Sequence, residues 1–367
     1  MKSAAKVIFH IDLNAFFASV ASINEPYLKN KVFVVGGTNL TTRGVITTAS
    51  YKARRKGIKS GMSIVEATKI YPKLLVVPTD YSENKKYSDI FFNVLKEYSD
   101  LVLKGSIDEA YVDMTELSKR YHPLQIAKDI MNRLNKEYSL PVSIGIAPTL
   151  FLAKMASDLK KPLGITVVRK KDIVKKILPL PIKDLFGLGI KTYPILMNKG
   201  INLIGDFIKE ENKETILSVM SIDSYNHFLE NIKGLSSDIV NPSKYDIPKS
   251  ISSETTFNYD VSNVEAIMLE MKNLFDESYN RLIKEKVICK TVTIKIRYSD
   301  FQTITRSKSI EDFTKDYHTL ETLMEEIFYD NYNSEELRLV GVGFSNMILE
   351  EDYREDFNLF TYQKLIK

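Results

Sequence analysis

A chain of 367 residues is longer than one ordinary core organises and predicts about two to four domains. Its hydrophobic fraction of 44% and charged fraction of 27% exclude disordered and fibrous classes, and the single cysteine, Cys289, excludes an intrachain disulfide and a cysteine-based zinc site. The net charge of +4 neither demands nor excludes a nucleic-acid partner.

In chain order, KVIFHID (6–12) reads as a short buried strand, and the stretch from Asn14 reads as a helix capped by that residue and stopped before Pro26. Asp12 interrupts the first apolar segment and no later run approaches ~20 apolar residues, so neither export nor membrane insertion is expected and the compartment predicted is the cytoplasm. KVFVVGG (31–37) and GVITTAS (44–50) are strands, with YKARRKG (51–57) and SIVEATKIYP (63–72) as short helices, which makes 20–78 a small α/β lobe. From 82 to 98, Tyr87, Ile90, Phe91, Val94, Leu95 and Tyr98 recur at helical spacing. LVLKGSIDEAYVDM (101–114) reads as a hairpin turning near Gly105, QIAKDIMNRLNKEY (125–138) as a helix and PVSIGIAP (141–148) as a strand. After about 178 come short helical pieces and glycine turns, then a Ser-, Pro- and Asp-rich linker over 234–248, then a βαββαβ module over 249–349 and a tail over 350–367.

Three acids stand where acids are costly: Asp12 after VIFHI, and Asp108 with Glu109 between apolar runs. Singly, a helix cap or a turn explains each. Jointly they point elsewhere. Neighbours on a regular strand face opposite ways, but at a hairpin tip Asp108 and Glu109 can approach one point, and a first strand paired beside the hairpin would add Asp12. Three hard oxygen ligands suit Mg²⁺, and a metal pair suits in-line phosphoryl transfer. Tyr51 and Arg54, one helical turn apart, offer a grip on a triphosphate, or else belong to a solvated helix.

The stretches IDLNAFFASV (11–20), ASYKAR with GIKSGM (49–62), SIDEAYVDM (106–114) and KMASDLKKPLGI (154–165) together resemble the Y-family DNA polymerases, in the DinB or DNA polymerase IV branch, in the same order along the chain. The resemblance implies a mixed α/β (α+β) multidomain right hand: palm over 1–19 and 79–168, fingers over 20–78, helical thumb over 169–233 and a C-terminal little finger. It implies a template-directed DNA polymerase of the translesion type, of low fidelity and without proofreading, acting as a monomer on primer–template DNA and an incoming dNTP. Asp12, Asp108 and Glu109 would then be catalytic, binding two Mg²⁺ ions together with the Leu13 carbonyl. Thr48, Tyr51, Arg54 and Lys161 would hold the triphosphate, and Phe16 and Phe17 would line its sugar, with Phe17 as the steric gate against ribonucleotides. Asn14 stands where the family often has an aspartate, and takes no metal. The alternative is a catalytically inactive DNA-binding protein on the same fold.

LFGLGIKTYPILMNKGI (185–201) resembles a helix-hairpin-helix in which Gly187, Gly189 and Lys191 would meet a DNA phosphate, although Pro194 is expected to break its second helix. In TVTIKIRYS (291–299) apolar Val292, Ile294, Ile296 and Tyr298 alternate with Thr291, Thr293, Lys295 and Arg297, so one face is core and the other polar and basic. Arg306 and Lys308 on the next strand are expected to extend that basic face towards DNA. In the tail, Phe357, Leu359 and Phe360 resemble the end of a sliding-clamp-binding peptide, with Asp356 where glutamine is usual.

Overall fold

The computed structural model describes residues 6–37 and 43–353, and the chain divides into two compact units, 1–243 and 244–367. In the first unit β1 (Ile8–Leu13) leads into α1 (Phe16–Asn24), followed by β2 (Phe33–Gly36), β3 (Ile46–Ala49), α2 (Tyr51–Arg54), α3 (Ile64–Ile70) and β4 (Leu75–Pro78). Then come α4 (Tyr81–Lys96), β5 (Val102–Lys104), β6 (Glu109–Asp113), α5 (Pro123–Tyr138), β7 (Val142–Ala147), α6 (Leu150–Asp158) and β8 (Ile165–Val167). Five short helices complete it: α7 (Ile173–Lys176), α8 (Tyr193–Asn198), α9 (Ile204–Phe207), α10 (Lys213–Leu217) and α11 (Ile222–Ile232).

The main sheet has the order β5-β6-β1-β7-β8. Strand alternation sorts its residues between two faces. Phe9, Ile11 and Leu13 of β1 and Val142, Ile144 and Ile146 of β7 enter one core with Phe91 and Leu95 of α4 and Ile126 and Ile130 of α5. The opposite face carries Ile8, His10 and Asp12, and α6 lies on it. Gly145 makes that approach possible, because a Cβ there would lie 2.0 Å from the Ala153 carbonyl oxygen and 2.4 Å from the Ser157 nitrogen. Phe151, Leu152 and Met155 of α6 in turn share a core with Ile177, Leu196, Phe207 and Ile232 from the helices that follow.

Residues 33–78 form a separate sheet, β3-β2-β4, with its own core of Val34, Ile46, Ala53, Ile64 and Ala67. Its third strand, β4, runs parallel to β2 and was not anticipated, being short and nowhere fully buried.

Two local expectations are corrected. The residue ahead of α1 is Ala15, in the left-handed region at φ 46°, rather than Asn14. The Asn14 amide turns into the fold instead: its Nδ2 donates to Ser143 Oγ and its Oδ1 accepts from the Leu163 backbone N–H. Pro194 does not break a helix. It sits in the first turn of α8, where no intrahelical N–H bond is required of it.

The second unit is the expected βαββαβ module: β9 (Ser250–Val261), α12 (Val264–Lys284), β10 (Val287–Tyr298), β11 (Thr303–Thr314), α13 (Tyr317–Asn331) and β12 (Leu337–Leu349). Its sheet order is β11-β10-β12-β9. Both helices cover one face, burying Met271, Phe275, Leu320 and Phe328 against Val292, Ile294, Ile296 and Phe344. No helix among the described residues is long and apolar enough to cross a membrane.

Candidate active site

β1 pairs with β6 so that Asp12 stands directly opposite Glu109. The Leu13 N–H donates to the Asp108 carbonyl oxygen at 2.9 Å, fixing the hairpin tip against the end of β1. Three acids from positions 12, 108 and 109 therefore meet at one end of the sheet, on the face covered by α6.

Their charges are interlocked with two lysines. Lys161 Nζ donates to Asp12 Oδ2 at 2.6 Å and lies 2.7 Å from Asp158. Lys154 Nζ, on α6, donates to Glu109 Oε1 at 2.5 Å and to Asp12 Oδ2 at 3.4 Å. Burial pushes the Asp12 carboxyl up to about 7, helped by its contact with Glu109 and opposed by both lysines. Burial also acts to raise Glu109, but the neighbouring His10 ring, the contact with Asp12 and the Lys154 ammonium outweigh it and hold Glu109 well below the usual range. Of the pair, Asp12 is thus the acid pushed towards protonation and Glu109 the one held ionised.

Asp108 is raised by burial and accepts a 2.5 Å hydrogen bond from Ser106 Oγ. Because it is turned to Ser106 while the other two acids face ammonium groups, no three ligating side chains among the described residues converge on one point. The three acids expected to form a metal site are brought together but point into separate partners. As a donor set, hard carboxylate oxygens in a partly dry cleft still suit a hard divalent cation.

Beneath the acids lies a residue that the sequence reading missed. His10 is fully buried, shares a 2.8 Å hydrogen bond with Ser157 Oγ through Nδ1, and is packed edge-on to Tyr111. Its Nε2 faces Glu109 Oε2 from 3.6 Å, too far for a hydrogen bond. Burial holds its pKa low, so the ring is neutral at physiological pH. The signal was available, since His10 is two residues from Asp12 on a strand and therefore on the same face. Lys154 was missed too, though it is the one cation inside FLAKMAS.

Phe16 and Phe17 part company. Phe16 is buried among Phe9, Ile11 and Leu13: successive helical residues cannot share a face, and this one is taken by the core. Phe17 is half-exposed, tilted against Phe16 and edge-on to Tyr81 at 6.1 Å. Thr48 pairs with Val35 in β3, half-buried. Arg54 stacks on Tyr51 at 5.1 Å and donates from Nε to the Ala49 carbonyl oxygen. Burial raises the Tyr51 hydroxyl, and the charges of Arg54, Lys161 and Asp12 all reach it, which sets α2 facing the acids.

In the helical segment, Gly187 and Gly189 flank the turn before α8, the Gly189 carbonyl accepts from the Thr192 N–H, and Lys191 is exposed. In the second unit the four basic residues expected on one face are divided. Lys308 stands opposite Val292 and Arg306 opposite Ile294, so both share the helix-covered side, where they bond Glu326 and Asn331 of α13. Lys295 and Arg297 take the open face, bonded to Glu254 and Thr303. Cross-strand partners share a face, and the register of the β10–β11 hairpin puts the two pairs out of step. The open face is otherwise dominated by small hydroxyl side chains, with Thr291 bonded to Ser309 and Thr293 to Ser307 over a floor that includes Gly341 and Gly343. Phe357, Leu359 and Phe360 lie outside the described residues.

Residues 11–158 match the impB/mucB/samB family and residues 248–358 match the C-terminal domain of that family. The chain belongs to this family, the Y-family DNA polymerases, in the branch that contains DNA polymerase IV. It is 36% identical to DNA polymerase IV 1 of Halalkalibacterium halodurans, over 99% of this chain and 87% of that one. A Y-family DNA polymerase chimera of Dbh and Dpo4 superposes with a TM-score of 0.83 at 26% identity, covering 94% of this chain and 99% of the other. An insertion ternary complex of Dbh DNA polymerase gives a TM-score of 0.68 at 25% identity with the same coverage. The chain is thus a DNA-directed DNA polymerase with the mixed α/β, multidomain fold of that family.

Proposed function

We propose that this polymerase adds deoxynucleotides to a primer 3′ end by two-metal-ion phosphoryl transfer, as a translesion enzyme of low fidelity without proofreading. The observation that carries the reading is the pairing of Asp12 with Glu109, with Asp108 pinned beside them through the Leu13 N–H. Asp12, Asp108, Glu109 and the Leu13 carbonyl are the groups that would hold two Mg²⁺ ions. When bound, such ions lower the pKa of the attacking hydroxyl and steady the leaving pyrophosphate.

The chain's own residues do the rest. Asp12 must give up its proton to ligate, and Lys161, already close to it, is placed to follow the charge of a triphosphate. Tyr51 and Arg54 approach from α2, and Thr48 from the end of β3. Phe17 offers the ring edge against which a ribose hydroxyl would clash, a contact of the kind that costs ~1–3 kcal/mol when overpacked. A cleft under a small α/β lobe, with open space where a side chain at Gly61 would stand, reads base-pair shape loosely and suits damaged templates.

For duplex DNA we assign Lys295 and Arg297 with the hydroxyl face around them, and Gly187, Gly189 and Lys191 at the helical turn; such contacts position without reading sequence. A sliding clamp remains the proposed partner of the C-terminal tail. Primer extension on an undamaged template tests the central claim. The wild type should extend, and Asp108→Ala should lose at least about a thousandfold in rate. Equal extension by the two proteins would refute the assignment.

A further inference from the structure

We infer that Lys154 is a resident counter-ion of the catalytic carboxylates, competing directly with divalent cations for Asp12 and Glu109. The inference rests on the metal-site reading above. The Lys154 side chain is 9% exposed, and its ammonium lies 2.5 Å from Glu109 Oε1, 3.4 Å from Asp12 Oδ2 and 3.6 Å from Asp158 Oδ2. It occupies lone pairs that a metal would need, and a bound Mg²⁺ would sit about 2.1 Å from the same oxygens.

The two lysines of the site are not equivalent. Lys161 is 26% exposed, lies beyond the end of α6, and can follow a triphosphate away from Asp12. Lys154 belongs to α6, which lies directly on the sheet over Gly145, and the Phe186 ring stands 5.9 Å from its ammonium. It has less room to move than Lys161 and leaves the acids only when another cation takes their oxygens. Its positive charge is therefore a resident part of the acid cluster, and any divalent cation meets Asp12 and Glu109 already partnered. Lys154 thus bridges Glu109 and Asp12, at 2.5 Å and 3.4 Å, in the place where a shared cation would stand.

The test is Mn²⁺ uptake by the full chain without DNA or nucleotide, followed by loss of the free-ion electron paramagnetic resonance signal. Lys154→Met should bind Mn²⁺ about tenfold more tightly than the wild type, because one unit charge a few ångströms away has been removed. Lys154→Arg, which keeps the charge, should not. Uptake that depends on Asp12 but is no tighter in Lys154→Met overturns the inference alone. No uptake by the wild type, with Asp12→Asn indistinguishable from it, overturns the metal site itself. A second measurement needs no variant: in the wild type, Mn²⁺ should raise acylation of Lys154 by an amine-reactive reagent, read by mass spectrometry. Labelling of Lys154 that stays constant while Mn²⁺ saturates the protein also overturns the inference.

Discussion

The two large sheets of this polymerase treat charge in opposite ways. In the first, charge is drawn inward: Asp12, Glu109 and Lys154 are largely shielded from water and each has a named ionic partner. In the second, charge stays at the surface, with Lys295 and Arg297 among hydroxyls that satisfy one another on the exposed face. Desolvated ionic groups are expensive unless geometry is fixed, so they belong where a reaction must be oriented. A hydroxyl-covered face with a few cations tolerates any register of a phosphate backbone, which suits the DNA contact proposed for it.

The contrast breaks most severely at Gly145. Gly145→Ala would drive a Cβ into the backbone of α6, costing roughly 3 kcal/mol of stability in denaturant titration, with loss of extension as Lys154 and Lys161 shift. Gly343→Ala on the open face would meet Ser252 Cβ at 2.7 Å and displace it, but away from the acids, so catalysis on a saturating primer should stay intact.

A pH effect of comparable size is confined to the buried sheet. Asp12 keeps its proton up to about 7 in the folded chain, against 3.8 for the free group. The folded state binds the extra proton, so this contribution is full below pH ~4 and is lost as pH rises through about 7. In metal-free buffer Asp12→Asn should match the wild type near pH 4 and exceed its stability by roughly 4 kcal/mol at pH 8. A parallel pair of pH–stability curves would refute the buried-proton account.

A smaller effect lies at the border of the first sheet, where Phe17→Ala should raise ribonucleotide incorporation roughly tenfold with little change in deoxynucleotide use. Unchanged sugar selectivity removes Phe17 from its assigned role. The smallest effect sharpens the second region. Lys295→Ala with Arg297→Ala should lower the salt slope of DNA binding by about 2, whereas Arg306→Ala with Lys308→Ala should change it less, since those side chains turn to α13.

Much of this was legible in the sequence because acids interrupting apolar runs are informative in themselves. Asp12, Asp108 and Glu109 were found that way, and the βαββαβ order of the second unit followed from its periodicity. What escaped depended on three-dimensional register. The side to which Arg306 and Lys308 turn is set by how β11 pairs with β10, which composition does not encode. Phe16 was ambiguous until its neighbours in the core were known, and the cap of α1 shifted because Asn14 found better partners across the sheet. Lys154 was readable in principle as a solitary cation in an apolar helix. Only the Gly145 contact explains why that helix delivers it to the acids.

Asn14 has a consequence for how the molecule is assembled. Its amide joins Ser143, 129 positions away, and Leu163, 149 positions away. Links of that span must meet the entropy of closing large loops. Pairing of β1 with β7 brings Ser143 to the amide, but its Oδ1 meets the Leu163 N–H only when the segment beyond α6 is also in place, so the asparagine is fully satisfied late. Beside the acid that serves chemistry, β1 therefore presents an amide that discriminates between a nearly folded chain and a folded one.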